Sequence, residues 1–440
     1  MFRRITAIVC TAVLILFLPT TNGFAALKVG DSCSKVGRAT SISGKKIICT
    51  KSGKKLRWIL KKSPAEVSQD SPGVVPVVPP SVDTTAECKL PNGSGARPDI
   101  AIGWPRIANR MNTLGVLNAK VIMIDFSDAG ATQSPAQAFS MINPKSSEIF
   151  SEMSYGRTTY KFDPALKWYR MSQPSTAYTF KTFDGQKSYM QEAAKLASKD
   201  VDFSRTDSLI VLANPDATYF GSGPAFAPLA GSGITIEGNY IGNGATSAHD
   251  LNNFGAIWLN HEISHTMGLV DLYAFEWDNK NYDSIFRFTG DFSYMGNSSL
   301  TSNSPGLLAW ERWLLGWLDD SQIICQKSGN NTITISPIER IGGTKAVIIP
   351  TGRTTSLVIE SRRAEGIDKN MVKQGVLVYT VDTSVGSGYG PIRVQNAQPN
   401  DPRLRLSPLA SGESLTVGNV KISVTASDSA GDTVNVSVGS

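Results

Sequence analysis

Residues 261–271 read His261-Glu262-Ile263-Ser264-His265-Thr266-Met267-Gly268-Leu269-Val270-Asp271, and they hold two of the three histidines in the 440-residue chain. On a helix, positions i and i+4 share a face, so His261 and His265 aim two imidazoles at one point. Glu262 lies close enough to reach a water bound there. Gly268 lets the backbone leave the helix and turn sharply, which returns Asp271 as a third ligand. Two imidazoles, one carboxylate and an open fourth position make the donor set of a hydrolytic zinc centre. Chance yields this histidine–glutamate–histidine spacing fewer than about once in a thousand chains of this composition. Glu311, on the helix-like stretch 305–315, and His249 stand as other candidates for the third ligand.

The surrounding sequence alternates strands with helices. Residues 120–126 (KVIMIDF) and 208–213 (SLIVLA) are unbroken apolar runs rich in β-branched residues, the pattern of strands buried on both faces. Residues 134–154 and 188–198 have helical spacing, 234–241 alternates like an edge strand, and the motif helix begins near Asn253. A three-layer α/β sandwich over residues 88–325 is the expected architecture. Beyond Ile333 helices nearly vanish. Short β-rich runs at 345–349, 357–360, 375–381, 420–424 and 433–438, separated by Gly, Ser and Asp, predict an all-β sandwich over 326–440.

Upstream, residues 1–26 read as a signal peptide: Arg3 and Arg4, an apolar run from Ile5 to Pro19, then the small-residue site Gly23-Phe24-Ala25. No later stretch is apolar enough to span a bilayer, so export to the extracellular space, with wall association open, is expected. Cys10 leaves with the signal. Cys33, Cys49, Cys88 and Cys325 remain, an even set for an oxidising compartment. Of three pairings, Cys33–Cys49 and Cys88–Cys325 are expected, because each pair brackets one folding unit. Residues 27–62 read as a small disulfide-closed β module, and 63–87, rich in Pro and Val, as an extended linker.

Charge is unevenly placed. Residues 28–62 carry eleven Lys or Arg against the single Asp31, whereas residues 63–440 are net acidic. Such a basic module suits an anionic cell-wall polymer. Nucleic acid is not an expected partner of an exported chain.

The extended motif, with Leu272-Tyr273 after it, resembles that of the metzincin metallopeptidases, most closely the immune inhibitor A-like branch. Residues 121–128 (VIMIDFSD), 154–157 (SYGR), 201–204 (VDFS), 293–296 (SYMG) and 305–318 (PGLLAWERWLLGWL) are similar to segments of that family. The resemblance spans roughly residues 95–385. It implies a zincin-like catalytic fold, zinc on His261, His265 and Asp271, Glu262 as general base and acid, and Met295 as an apolar floor. Ser264 and Val270 stand where the family commonly has Gly and Pro. Asn297 stands where some members have an oxyanion-steadying tyrosine, for which Tyr273 and Tyr282 are the nearby substitutes. Some members bind structural calcium, and Glu276, Asp278, Asn279, Asp283 and Asp291 offer oxygen ligands for Ca2+. Residues 27–62, with Gly53-Lys54-Lys55 leading into Trp58, resemble a small two-cysteine module of secreted actinobacterial proteins.

The expected function is a secreted, monomeric zinc endopeptidase acting on protein or peptide. The alternatives are an exported wall- or glycan-binding protein with a vestigial zincin fold, and an amidase of peptidoglycan crosslinks.

Overall fold

The computed structural model describes residues 31–36, 38–42, 45–52, 55–60, 84–296 and 305–439. The expected signal peptide lies outside the described residues, as does most of the expected linker. The chain divides into two compact units, Met1–Val78 and Pro79–Ser440.

In the first unit, β1 (Ala39–Ile42), β2 (Lys45–Ser52) and β3 (Lys55–Leu60) form an antiparallel three-stranded sheet. Alternation turns Trp58 inward with Ile47 and Cys49, leaving Lys55 and Arg57 exposed. The Cys33–Cys49 disulfide closes this small core.

The second unit is mixed α/β. Its first part contains β4 (Gly115–Asp125), α1 (Pro135–Ser140), α2 (Lys145–Met153), β5 (Thr158–Arg170), α3 (Phe183–Ala197), β6 (Ser208–Ala213), β7 (Ala225–Phe226), β8 (Ile234–Ile236), β9 (Asn239–Ile241), β10 (Gly244–Thr246) and α4 (Asp250–Thr266). One sheet has the order β5-β4-β6-β10-β7, parallel except for β7 at its edge. Along β4, Val121 and Met123 join the core with α2 and α4, while Ile122 and Ile124 join the core with α3. Helices thus cover both faces, which is why β4 and β6 read as continuous apolar runs.

Three local readings change. The single helix expected over 134–154 is split, because Pro144 caps α2 and cannot donate back into α1. Helix α4 starts at Asp250 and is kinked at Gly255, whose φ of 48° leaves the motif on the uninterrupted piece that follows. Residues 234–241 are not one edge strand. Glu237 and Gly238, both at positive φ, turn the chain back into a separate β8–β9 hairpin, so the sheet edge is β7.

The second part contains α5 (Ala309–Leu314), β11 (Ile323–Cys325), β12 (Gly329–Ile335), β13 (Ala346–Pro350), β14 (Thr355–Arg362), β15 (Gly375–Asp382), β16 (Ile392–Val394), β17 (Ser414–Val417), β18 (Val420–Ser427) and β19 (Asp432–Val438). Sheet β11-β13-β14-β15-β16 faces sheet β12-β19-β18-β17 across a shared apolar layer. Its opposite face, with Ile348, Val358, Leu377 and Tyr379, belongs to the same core as α4 and α5. Arg362, buried on β14, pairs with Glu360 at 2.6 Å and Asp368 at 3.0 Å, while Glu360 also accepts from the Ala309 amide at 2.7 Å. The start of α5 is thereby pinned to this sheet. The Cys88–Cys325 disulfide ties the beginning of the unit to β11. No helix among the described residues is long and apolar enough to cross a membrane.

Candidate metal centre

Helix α4 carries His261 and His265 one turn apart, with Glu262 directly after His261, and its end is built to bring Asp271 back. Gly268, at φ 101°, follows the last turn; its amide bonds to His265 O and the Leu269 amide to Ser264 O. This pair of bonds is a Schellman ending, which reverses the chain within a few residues. Asp271 then returns to the helix face. Its amide donates to Ser387 Oγ at 2.9 Å, the same hydroxyl donates to Asp271 Oδ2 at 3.0 Å, and the Gly388 amide donates to Asp271 O.

Three donor atoms meet in a small triangle. His261 Nε2 lies 3.2 Å from His265 Nε2 and 3.2 Å from Asp271 Oδ1, and His265 Nε2 lies 3.1 Å from the same oxygen. Tetrahedral ligands at zinc bond lengths are separated by about 3.3 Å. Proton placement points the same way. His261 Nδ1 donates to Tyr294 O and His265 Nδ1 to Leu269 O, each at 2.9 Å, since a carbonyl can only accept. In the neutral rings both Nε2 atoms are then bare lone pairs facing each other and a carboxylate oxygen. Acceptors do not gather this way unless a cation joins them. The residues therefore fit a divalent metal, without specifying which one. Among the described residues this is the one cluster of its kind.

The close approach of these groups also bears on their titration. Burial pushes His265 down, but Asp271 and Glu262 outweigh it and raise the imidazole to about 9. Burial would raise Asp271, yet His265 and His261 hold it well below the ordinary carboxylate range. Glu262 is lifted by burial, against the opposing pull of the two histidines.

The cleft over this group is walled by edge strand β7 and the residues before it. Ala225 N–H donates to Glu262 Oε2 at 2.7 Å. Asp250 Oδ2 accepts from the Gly223 amide at 2.7 Å, and Trp258 Nε1 donates to Gly223 O at 2.8 Å. Gln186 Nε2 donates to the Pro224 and Ala225 carbonyls. The wall is thus stitched to α4 and α3.

Met295 is fully buried, and its carbonyl accepts from the Leu272 amide beside Asp271. The preceding residue, Tyr294, supplies the carbonyl for His261, and its hydroxyl shares a 2.8 Å bond with Ser264. Ser264 thus has a local partner where the family resemblance anticipated Gly. Tyr273 lines the cleft, its ring 6.0 Å from that of His261, whereas Tyr282 packs on Trp277 and Phe286 away from it. Asn297 lies outside the described residues.

Two expected alternatives are placed elsewhere. Glu311 accepts from Ser293 Oγ and the Leu308 amide, each at 2.9 Å, capping α5. His249 sits at the start of α4 against Pro215 O. The acidic stretch offered for Ca2+ forms no second metal group among the described residues; Asp283 and Asp291 instead face Arg403 at 3.6 and 3.5 Å.

Sequence reading missed Ser387, Tyr294, Gln186 and Asp250. Ser387 lies 116 residues from Asp271, and no local pattern announces such a contact. No family model matches this chain, and no curated protein matches it.

Proposed function

We propose that this chain is a secreted zinc-dependent endopeptidase of metzincin type. The observation that carries the reading is the 3.1–3.2 Å triangle of two imidazole nitrogens and one carboxylate oxygen, with Glu262 beside it. His261, His265 and Asp271 would hold the ion. Bound there, zinc supplies Lewis acidity, polarising a carbonyl and making water acidic enough to ionise near neutral pH. Glu262 acts as general base and then acid. Ala225 N–H fixes Oε2, which leaves Oε1 to take a proton from the attacking water and return it to the leaving amine. The open cleft over the centre, walled by Ser222, Gly223, Pro224 and Ala225, supports an extended peptide as substrate. The basic, apolar start of the chain and its two disulfides support export.

The test is hydrolysis of casein by the purified protein, abolished by a chelator and restored by zinc. Glu262→Gln is expected to keep its metal and lose at least about a hundredfold in rate. Full activity in that variant refutes the mechanism. Hydrolysis confined to crosslinked peptidoglycan would favour the amidase reading instead.

A further inference from the structure

Beside the metal cleft lies a second concavity lined by Tyr178, Phe180, Lys181, Tyr219 and Phe220. Its character is aromatic. Phe180 and Phe220 stack with ring centroids 4.5 Å apart, and Tyr219 meets Phe220 edge-on at 5.3 Å. The floor is anchored, since Phe180 also packs on the buried Tyr189 and Phe220 on the buried Phe126. The rim is open: Tyr219 is 56% exposed without contributing to any core. The concavity shares Ser222 and Pro224 with the metal cleft, so one stretch of chain walls both. That stretch leads directly into β7 and the amide that orients Glu262.

We infer that this aromatic concavity is a specificity subsite, which receives an aromatic side chain of the peptide cut at the metal centre. The inference rests on the peptidase reading and adds the substrate class. A chain lying across Ser222–Pro224 toward Glu262 presents side chains on alternate faces, so one of them meets the rings at a fixed distance from the scissile bond. Rings stack or pack edge-to-face on Tyr219 and Phe180, gaining interactions that aliphatic side chains lack. Lys181 is the only charged residue lining the concavity, so it disfavours a cationic occupant.

The test is digestion of a proteome-derived peptide library by the full-length protein, with the cleavage sites sequenced by mass spectrometry. Phe, Tyr and Trp are expected to be enriched at least about fivefold at one fixed position, with Lys and Arg depleted there. Tyr219→Ser, at an exposed site, should flatten the aromatic enrichment, lowering kcat/KM at least about fivefold more for a peptide carrying Phe at that position than for one carrying Ala. Lys181→Glu should lift the depletion of Lys and Arg. Cleavage without positional aromatic enrichment, or enrichment unchanged in Tyr219→Ser, overturns the subsite and leaves the peptidase reading standing. No cleavage by the zinc-loaded protein overturns both.

Discussion

At the residue scale, the site depends as much on what holds the ligands as on the ligands themselves. Ser387 makes both a donor and an acceptor contact to Asp271, so it sets the carboxylate's rotation. Partners of this kind are typically worth about 10–100-fold in metal affinity. Ser387→Ala is therefore expected to weaken zinc binding by that factor in competition with a chromogenic chelator, at unchanged secondary structure. Unaltered affinity would show that the turn alone places Asp271. Glu311 illustrates a different balance. Burial pushes its carboxyl up to about 7, against the Leu308 amide, Ser293 and Arg362, which favour the charged form. A folded pKa above the unfolded one means that the folded state holds the proton more tightly. The associated stability is complete below about pH 4.5 and is lost as pH rises through about 7. At about 1.4 kcal/mol per unit, its upper scale is roughly 3 kcal/mol. Glu311→Gln keeps an acceptor and removes the ionisation. Its Tm relative to wild type should rise between about pH 4.5 and 7 and level off above that, and a pH-independent difference would refute this account.

At the element scale, the reversal after α4 converts a helix into a three-ligand site. Gly268 has room for a methyl group, since the nearest side-chain atoms to an added Cβ are Arg110 Cγ at 3.5 Å and Arg106 Cγ at 3.8 Å. The obstacle is its φ of 101°, which L-residues rarely adopt. Gly268→Ala should cost about 1–2 kcal/mol of stability and weaken metal binding with it, read from thermal melts with and without zinc. A variant as stable as wild type would mean that the turn relaxes freely. This element was legible in the sequence because all its signals are local: i, i+4 histidines, a terminal glycine, a carboxylate three residues on. Strands β4 and β6 were legible for the same reason, their apolar runs reporting burial on both faces. Residues 234–241 misled because alternation cannot distinguish one strand from two that reverse at Glu237-Gly238. The carbonyls of Tyr294 and Leu269 were illegible for a deeper reason. Every residue carries the same carbonyl, so only the folded path decides which one meets an imidazole.

At the scale of the whole molecule, the C-terminal sheets are part of the metal centre's support. Ile348, Val358, Leu377, Tyr379 and Val381 are buried in the core that contains α4 and α5. At about 1.5–3 kcal/mol for each large apolar side chain, uncovering their partners removes roughly 10 kcal/mol. That rivals the entire net stability of an ordinary domain, about 5–15 kcal/mol. Ser387 and Gly388 leave with the same cut, and Asp271 loses all three bonds that seat it. A chain comprising residues 79–325 is thus expected to be rapidly digested by trypsin and to bind no stoichiometric zinc. A chain comprising 79–440 should match the full protein in both respects, because residues 1–78 form a unit of their own. Atomic absorption on the two purified chains, with a trypsin time course, makes the comparison. A 79–325 chain that resists trypsin and holds one zinc would show that the α/β part builds the centre alone, with the later sheets dispensable.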